Sequence, residues 1–276
     1  MEEAKTFSKN LIKEHYKASV VIRRNIIKEY LQVLVLDFVY SHPKYNNLIF
    51  YGGSCLSHCY NLPRLSEDID LVDLGDKINL DNLAVDLAKY FEEKTDLDLN
   101  TKVQKFRIYL KFPVLKELGL AGASESDLLL LKIEVFKEFN FCQKYKIETI
   151  PLFKANKSIL IRTFDLPTLL ATKIRAILYR KWEQKDKRGQ AFIKVKGRDY
   201  FDLMWYLQKE IKPNLTCLPE FSNQDEMKSE LLRIISKVDP KSIRLDLESL
   251  IEDKKFVMNL SKNIKDILLR EIKEKL

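Results

Sequence analysis

Residues Phe50 to Asp73 read FYGGSCLSHCYNLPRLSEDIDLVD, and the rest of the chain is organised around them. Leu48-Ile49-Phe50-Tyr51 is an apolar run suited to a short buried strand. Gly52, Gly53 and Ser54 break that strand, and helical spacing follows. Leu56, Cys59 and Tyr60 fall at i, i+3 and i+4, on one helix face. Asn61-Leu62-Pro63 ends the helix, because proline disfavours the helical conformation in the residue before it. Asp68-Ile69-Asp70-Leu71-Val72 then reads as a second strand whose carboxylates, two residues apart, share one sheet face while Ile69 points into a core. Adjacent acids repel, so a fold keeps such a pair for a cation or for a function.

A Gly-Gly-Ser turn opening a helix offers backbone N–H groups, a hydroxyl and the positive end of a helix dipole, a combination suited to phosphate. The glycines let the backbone approach closely. Phosphate-binding amides beside a carboxylate pair describe a metal–nucleoside triphosphate site, since Mg²⁺ bridges carboxylate oxygens to substrate phosphates. Glu134 is the best candidate for a further carboxylate; it stands on a predicted strand, on the non-core face, with a second role as general base.

Working outward, Ser8 to Tyr40 reads as one or two amphipathic helices with a broad apolar stripe. Asp81 to Lys94 predicts a helix with Asp81 as N-cap. Leu97 to Leu115 has strand alternation, Gly119 to Asp127 a loop composition, and Leu128 to Phe139 a partner strand. On that strand Ile133 and Val135 point one way and Lys132, Glu134 and Phe136 the other. Short strands near Ile147–Ile150 and Ser158–Phe164 follow, then a helix with Asp165 near its cap and Pro167 at its start. Beyond it the pattern is helical, interrupted by a basic segment from Glu183 to Lys196. The expected organisation is α+β: a helical lead-in (1–42), a core built on a mixed sheet flanked by helices (43–165) and a helical C-terminal domain (166–276).

The chain has 276 residues, 46 % of them hydrophobic, enough for a sizeable core. Its formal charge of +8 favours a polyanionic partner such as nucleic acid. Four scattered cysteines fit reduced thiols in a cytoplasm, and Cys55, His58 and Cys59 read better as helix residues than as a metal site, with His58 on the outer side. No signal-peptide pattern and no apolar run of transmembrane length is present, so a cytoplasmic protein without a membrane role is expected.

The run GGSCLSHCYNLPRLSEDIDL resembles motif I of the DNA polymerase beta-type minimal nucleotidyltransferases, and most closely the AbiEii family of toxin–antitoxin and abortive-infection nucleotidyltransferases. Gly52, Gly53, Ser54, Leu56, Tyr60, Arg64, Ser66, Glu67, Asp68, Ile69, Asp70 and Leu71 carry that resemblance. Glu134 in Lys-Ile-Glu-Val matches the second acidic strand. Lys173, Arg175 and Ala176 match a lysine-bearing helix, and Arg198, Asp199, Asp202 and Leu203 a closing Arg-Asp-x-x-Asp-Leu motif. The resemblance implies a nucleotidyltransferase fold and transfer of a nucleotide from an NTP with Mg²⁺ or Mn²⁺. It implies Asp68, Asp70 and Glu134 as metal ligands, and these with Lys173 and Asp199 as the catalytic set. Gly52, Gly53, Ser54, Arg64, Ser66, Lys173 and Asp202 become the nucleotide-binding residues. It further implies a tRNA 3′ end as acceptor, inhibition of translation, and a cognate antitoxin.

The same residues have plainer readings. Lys173 could be a solvated lysine on an amphipathic helix, and Asp199 and Asp202 a charge pair favoured by a helix N-terminus. Arg64 could simply pair with Glu67 or Asp68. The acceptor could be a protein or small-molecule hydroxyl, or the chain a non-catalytic nucleotide- or RNA-binding protein.

Overall fold

Two helices precede the sheet: α1 (Ala4–Glu14) and α2 (Val20–Ser41), the latter capped by the Ser19 hydroxyl accepting from the Ile22 N–H. Helix α2 is buried on nearly every side; Asn25, Glu29 and Gln32 are buried along with its apolar residues, so it is a core helix rather than a one-faced surface helix. Strand β1 (Ile49–Tyr51) runs straight into α3 (Gly52–Tyr60), which ends at Asn61 in the left-handed conformation. Strand β2 is Asp68–Val72 and helix α4 Leu80–Lys94. The α4 cap is Asn79, accepting from the Asn82 N–H, and not Asp81, which lies within the first turn where the helix dipole favours its charge.

The strand-like stretch from Leu97 to Leu115 is two strands, β3 (Asn100–Gln104) and β4 (Arg107–Pro113), because Lys105 takes a positive φ of 56° and turns the chain. Strand β5 (Leu128–Phe136) then pairs antiparallel with β4 across the predicted loop, and β6 (Ile147–Lys154) and β7 (Lys157–Phe164) follow. The seven strands lie in the order β3-β4-β5-β2-β1-β7-β6. Strand β2 is antiparallel to β1 and parallel to β5, and β1 is parallel to β7, so the sheet is mixed.

Helix α5 (Leu166–Tyr179) starts as its sequence predicts, with Asp165 accepting from the Thr168 N–H and Pro167 in the first turn. The helical region after it is interrupted by a two-stranded ladder, β8 (Gln184–Lys185) with β9 (Ala191–Ile193). Helix α6 (Gly197–Gln208), a 3₁₀ turn (Leu215–Cys217), α7 (Gln224–Ile235), α8 (Pro240–Leu247) and α9 (Lys254–Lys275) complete the chain.

The structure, a computed structural model, describes residues 3–180, 184–185, 191–193 and 195–276; most of the basic segment from Glu183 to Lys196 lies outside the described residues. It comprises two units, Met1–Phe139 with Glu148–Thr163, and Asn140–Ile147 with Phe164–Leu276. The fold class is the predicted one: α+β, a mixed sheet flanked by helices, with a helical C-terminal half. Cysteine usage differs from expectation, because Cys142 and Cys217, 75 residues apart, are bonded to each other while Cys55 and Cys59 are free thiols. Among the described residues no helix is long and apolar enough to cross a membrane.

Candidate active site

Strand register assembles the site in the first unit. Tyr51 pairs with Asp70, Asp70 with Glu134, and Glu134 with Arg107, so these four residues form one row across β1, β2, β5 and β4. The next row is Asp68, Lys132 and Tyr109. Laterally paired residues project to the same face. The three predicted acids Asp68, Asp70 and Glu134 therefore share one sheet face, with Ile69, Leu71, Ile133 and Val135 buried on the other.

Two cations missed as site residues lie among these acids. The Lys132 ammonium is 3.1 Å from Asp68 Oδ2 and 3.0 Å from Glu134 Oε1, and Arg107 Nε is 2.7 Å from Glu134 Oε1. Burial alone would lower the Lys132 pKa, but the charge of Asp68 and the hydrogen bond to Glu134 outweigh it and raise it above the usual lysine value. The alternation in Leu128–Phe136 already put Lys132 on the face of Glu134; only the β2–β5 register reveals that it reaches Asp68 as well. Among the described residues no three His, Cys, Asp or Glu side chains are gathered around one point as a metal cage. The donor chemistry nevertheless suits a hard divalent cation: carboxylate oxygens on one face, two of which already hold a single ammonium between them.

The glycine turn fits closely against these acids. Gly52 has φ of +80°, and a Cβ there would stand 2.3 Å from Asp70 Oδ2. A Cβ on Gly53 would stand 2.6 Å from Arg64 Nη2 and 3.2 Å from Ser66 Oγ. Arg64 and Ser66 are both buried, and Arg64 Nη1 donates to the Leu65 carbonyl. Of the motif I residues, Gly52, Gly53, Arg64, Ser66 and Asp70 are thus brought together by the β1–α3 turn and the approach to β2. Ser54, in the first turn of α3, is completely buried, and its hydroxyl has no hydrogen-bond partner among the described residues.

The turn is braced from behind by a polar chain that the sequence did not reveal. Lys154 Nζ donates to His58 Nδ1, His58 Nε2–H donates to Gln32 Oε1, and Gln32 Nε2 donates to the Ser66 carbonyl. His58, expected on the outer side of its helix, is buried because α2 covers that side. Burial and the neighbouring Lys154 charge push its pKa down to about 3, so it is neutral near pH 7. Cys55 makes a hydrogen bond to Thr163 at 3.1 Å, which accounts for it without a metal.

The remaining predicted residues form a cluster of their own in the second unit. Lys173 Nζ on α5 lies 2.8 Å from Asp199 Oδ1 and 2.7 Å from Asp202 Oδ2, both on α6. Arg180 pairs with the other Asp199 oxygen at 2.7 Å. Arg198 binds Asp246 on α8 through both its backbone N–H and its guanidinium, and Gly197 permits that approach, since a Cβ there would lie 2.7 Å from Ile243 Cα. The spacing of three between Asp199 and Asp202 puts both on one side of α6, as expected. Tyr200, Phe201 and Trp205 are buried core residues, again as expected.

Residues 37–273 match the family model "Nucleotidyl transferase AbiEii toxin, Type IV TA system". No curated protein sequence matches the chain. Among solved structures, JHP933 from Helicobacter pylori is 18 % identical, with 91 % of this chain and 94 % of that one covered and a TM-score of 0.49. A candidate nucleotidyltransferase from H. pylori is 17 % identical, with 90 % and 96 % covered and a TM-score of 0.48. With the family model spanning most of its length, the chain belongs to the AbiEii nucleotidyltransferase toxin family of type IV toxin–antitoxin systems.

Proposed function

We propose that this nucleotidyltransferase uses a divalent cation, Mg²⁺ or Mn²⁺, to transfer a nucleotide from an NTP to a tRNA 3′ hydroxyl, blocking translation until a cognate antitoxin neutralises it. The observation that carries the reading is the row of Asp70 and Glu134 beside Asp68, with Gly52 fitted against Asp70. Asp68, Asp70 and Glu134 would hold the metal, which would supply charge neutralisation at the reacting phosphates. The α3 N-terminus, with the Gly53 and Ser54 amides, would receive the NTP phosphates, and the buried, unpartnered Ser54 hydroxyl would donate to a phosphate oxygen. Arg64 and Ser66 keep the turn in shape for that contact.

In the reaction, the acceptor hydroxyl oxygen forms a bond to the α-phosphorus while the bond to pyrophosphate breaks. Glu134 takes the hydroxyl proton and pyrophosphate leaves with the electron pair. For Lys173 the proposal is counter-charge to the triphosphate, with Asp199 and Asp202 fixing its ammonium; the support is its two short ion pairs. The formal charge of +8 supports a polyanionic acceptor, whose binding would be driven largely by counterion release. Family membership supports the antitoxin.

Incubation with each labelled NTP and separate tRNA, protein and small-molecule acceptors tests the proposal. Label at the tRNA 3′ end supports it; label only in protein or a small molecule keeps the enzyme and replaces the acceptor. No transfer to any acceptor, with growth inhibition undiminished by Asp68→Ala/Asp70→Ala, supports a binding protein instead.

A further inference from the structure

The acid face carries Lys132, a cation that the proposed reaction leaves unused. Lys132 lies in the row of Asp68 and two residues before Glu134 on the same strand face, with its half-buried ammonium about equally distant from a carboxylate oxygen of each. Among the described residues Arg107 meets Glu134, whereas Lys132 meets both Asp68 and Glu134 and so spans β2 and β5. We infer that Lys132 is the resident counter-ion of the acid cluster, which a divalent cation must displace from between Asp68 and Glu134. This rests on the proposed nucleotidyl-transfer site and specifies how that site is kept before substrate arrives.

The physical argument is competition for the same oxygens. The Lys132 charge offsets the negative charge of Asp68 and Glu134, and removing it leaves that pair with one positive charge fewer. An ammonium about 3 Å from two oxygens repels a dication that must approach those oxygens to about 2.1 Å. Lysine suits such a role better than arginine, since it is a compact point charge on a flexible stem that can swing away without breaking a planar fork. Once displaced, the ammonium is free to meet an anionic oxygen of the incoming NTP. Free metal is therefore held weakly, and metal bound to triphosphate is favoured because the triphosphate takes over the lysine charge.

A purely structural lysine, tying β2 to β5, gives the opposite outcome for metal binding. Removing a structural tie loosens the acids and weakens metal affinity, whereas removing a competitor strengthens it. The test is Mn²⁺ binding to the full chain without nucleotide, read by electron paramagnetic resonance and calorimetry. Lys132→Met is expected to bind Mn²⁺ at least tenfold more tightly than the wild type, with Lys132→Arg close to the wild type. Adding Asp68→Asn to Lys132→Met should cancel the gain. Unchanged or weaker affinity in a folded Lys132→Met chain overturns the inference. Should that variant not fold, Lys132→Gln takes its place. Folding of either one only with Mn²⁺ supports displacement, and failure of both in Mn²⁺ overturns it. If Mn²⁺ binds neither the wild type with NTP nor any variant, the metal-dependent reaction itself fails. If Asp70→Asn abolishes Mn²⁺ binding while Lys132→Met leaves it unaltered, only the counter-ion role is lost.

Discussion

Gly52 and Asp70 are fitted to each other: a Cβ at position 52 would stand 2.3 Å from the Asp70 carboxylate. Gly52 also has φ of +80°, which side chains rarely adopt. Gly52→Ala should therefore lower nucleotide transfer by roughly 100-fold or more through displacement of Asp70. It should also cost about 1–3 kcal/mol of stability. Gly53→Ala should be milder, because its nearest neighbour is the end of the Arg64 side chain, which can shift. Transfer assays with denaturant melts on both variants check the order.

Asp68→Asn and Asp70→Asn preserve shape and remove charge from the acid face. Each should abolish detectable transfer, a loss of roughly 1,000-fold or more if several kcal/mol of metal-derived stabilisation are forfeited. Circular dichroism should stay at the wild-type spectrum, so that loss of chemistry and loss of fold are told apart.

His58 predicts an acid-sensitive fold. Its pKa is about 3 in the folded chain, against an ordinary value of 6.5. Below pH 6.5 the unfolded chain takes up a proton that the native chain refuses, so stability falls as pH falls. The loss between pH 7.5 and pH 5 should be roughly 2 kcal/mol. Urea melts across that window should show this slope in the wild type and a flatter one in His58→Gln.

In the second unit, Lys173→Met leaves the buried Asp199 and Asp202 carboxylates without their ammonium. Breaking such a cluster from one side costs about 3–5 kcal/mol, whereas neutralising Lys173, Asp199 and Asp202 together, with only Arg180 of the cluster left charged, costs less. Lys173→Met should therefore be less stable than the triple variant Lys173→Met/Asp199→Asn/Asp202→Asn. Equal melting of the two would mean that leaving Asp199 and Asp202 charged without Lys173 costs the fold nothing.

The acid strand, the glycine turn and the Glu134 strand were legible because each is a local pattern: period two, a Gly-Gly break, an alternating run. What brings Arg107 and Lys132 to those acids is the register of β4 and β2 against β5, and no local pattern encodes the pairing of segments so far apart. Lys105 hid the β3–β4 turn because lysine carries no turn signal, although it adopts φ of 56°. Gln32 was similarly invisible: a glutamine in the apolar run Leu31–Val35 looks like an interruption until Ser66 and His58 are seen against it. Asp81 was expected as the α4 cap, and the hydrogen bond from the Asn82 N–H to Asn79 places the cap two residues earlier.

The silent Ser54 hydroxyl has a cost for the protein at rest. A fully buried hydroxyl with no partner among the described residues lowers the stability of the folded chain by about 1–3 kcal/mol. Selection for durability alone would favour alanine at this position. On the proposed reading, the serine keeps a donor in reserve for an oxygen of the nucleotide. Ser54→Ala should thus melt at a higher temperature than the wild type while its nucleotide affinity falls, making substrate binding and resting stability opposing demands on one side chain.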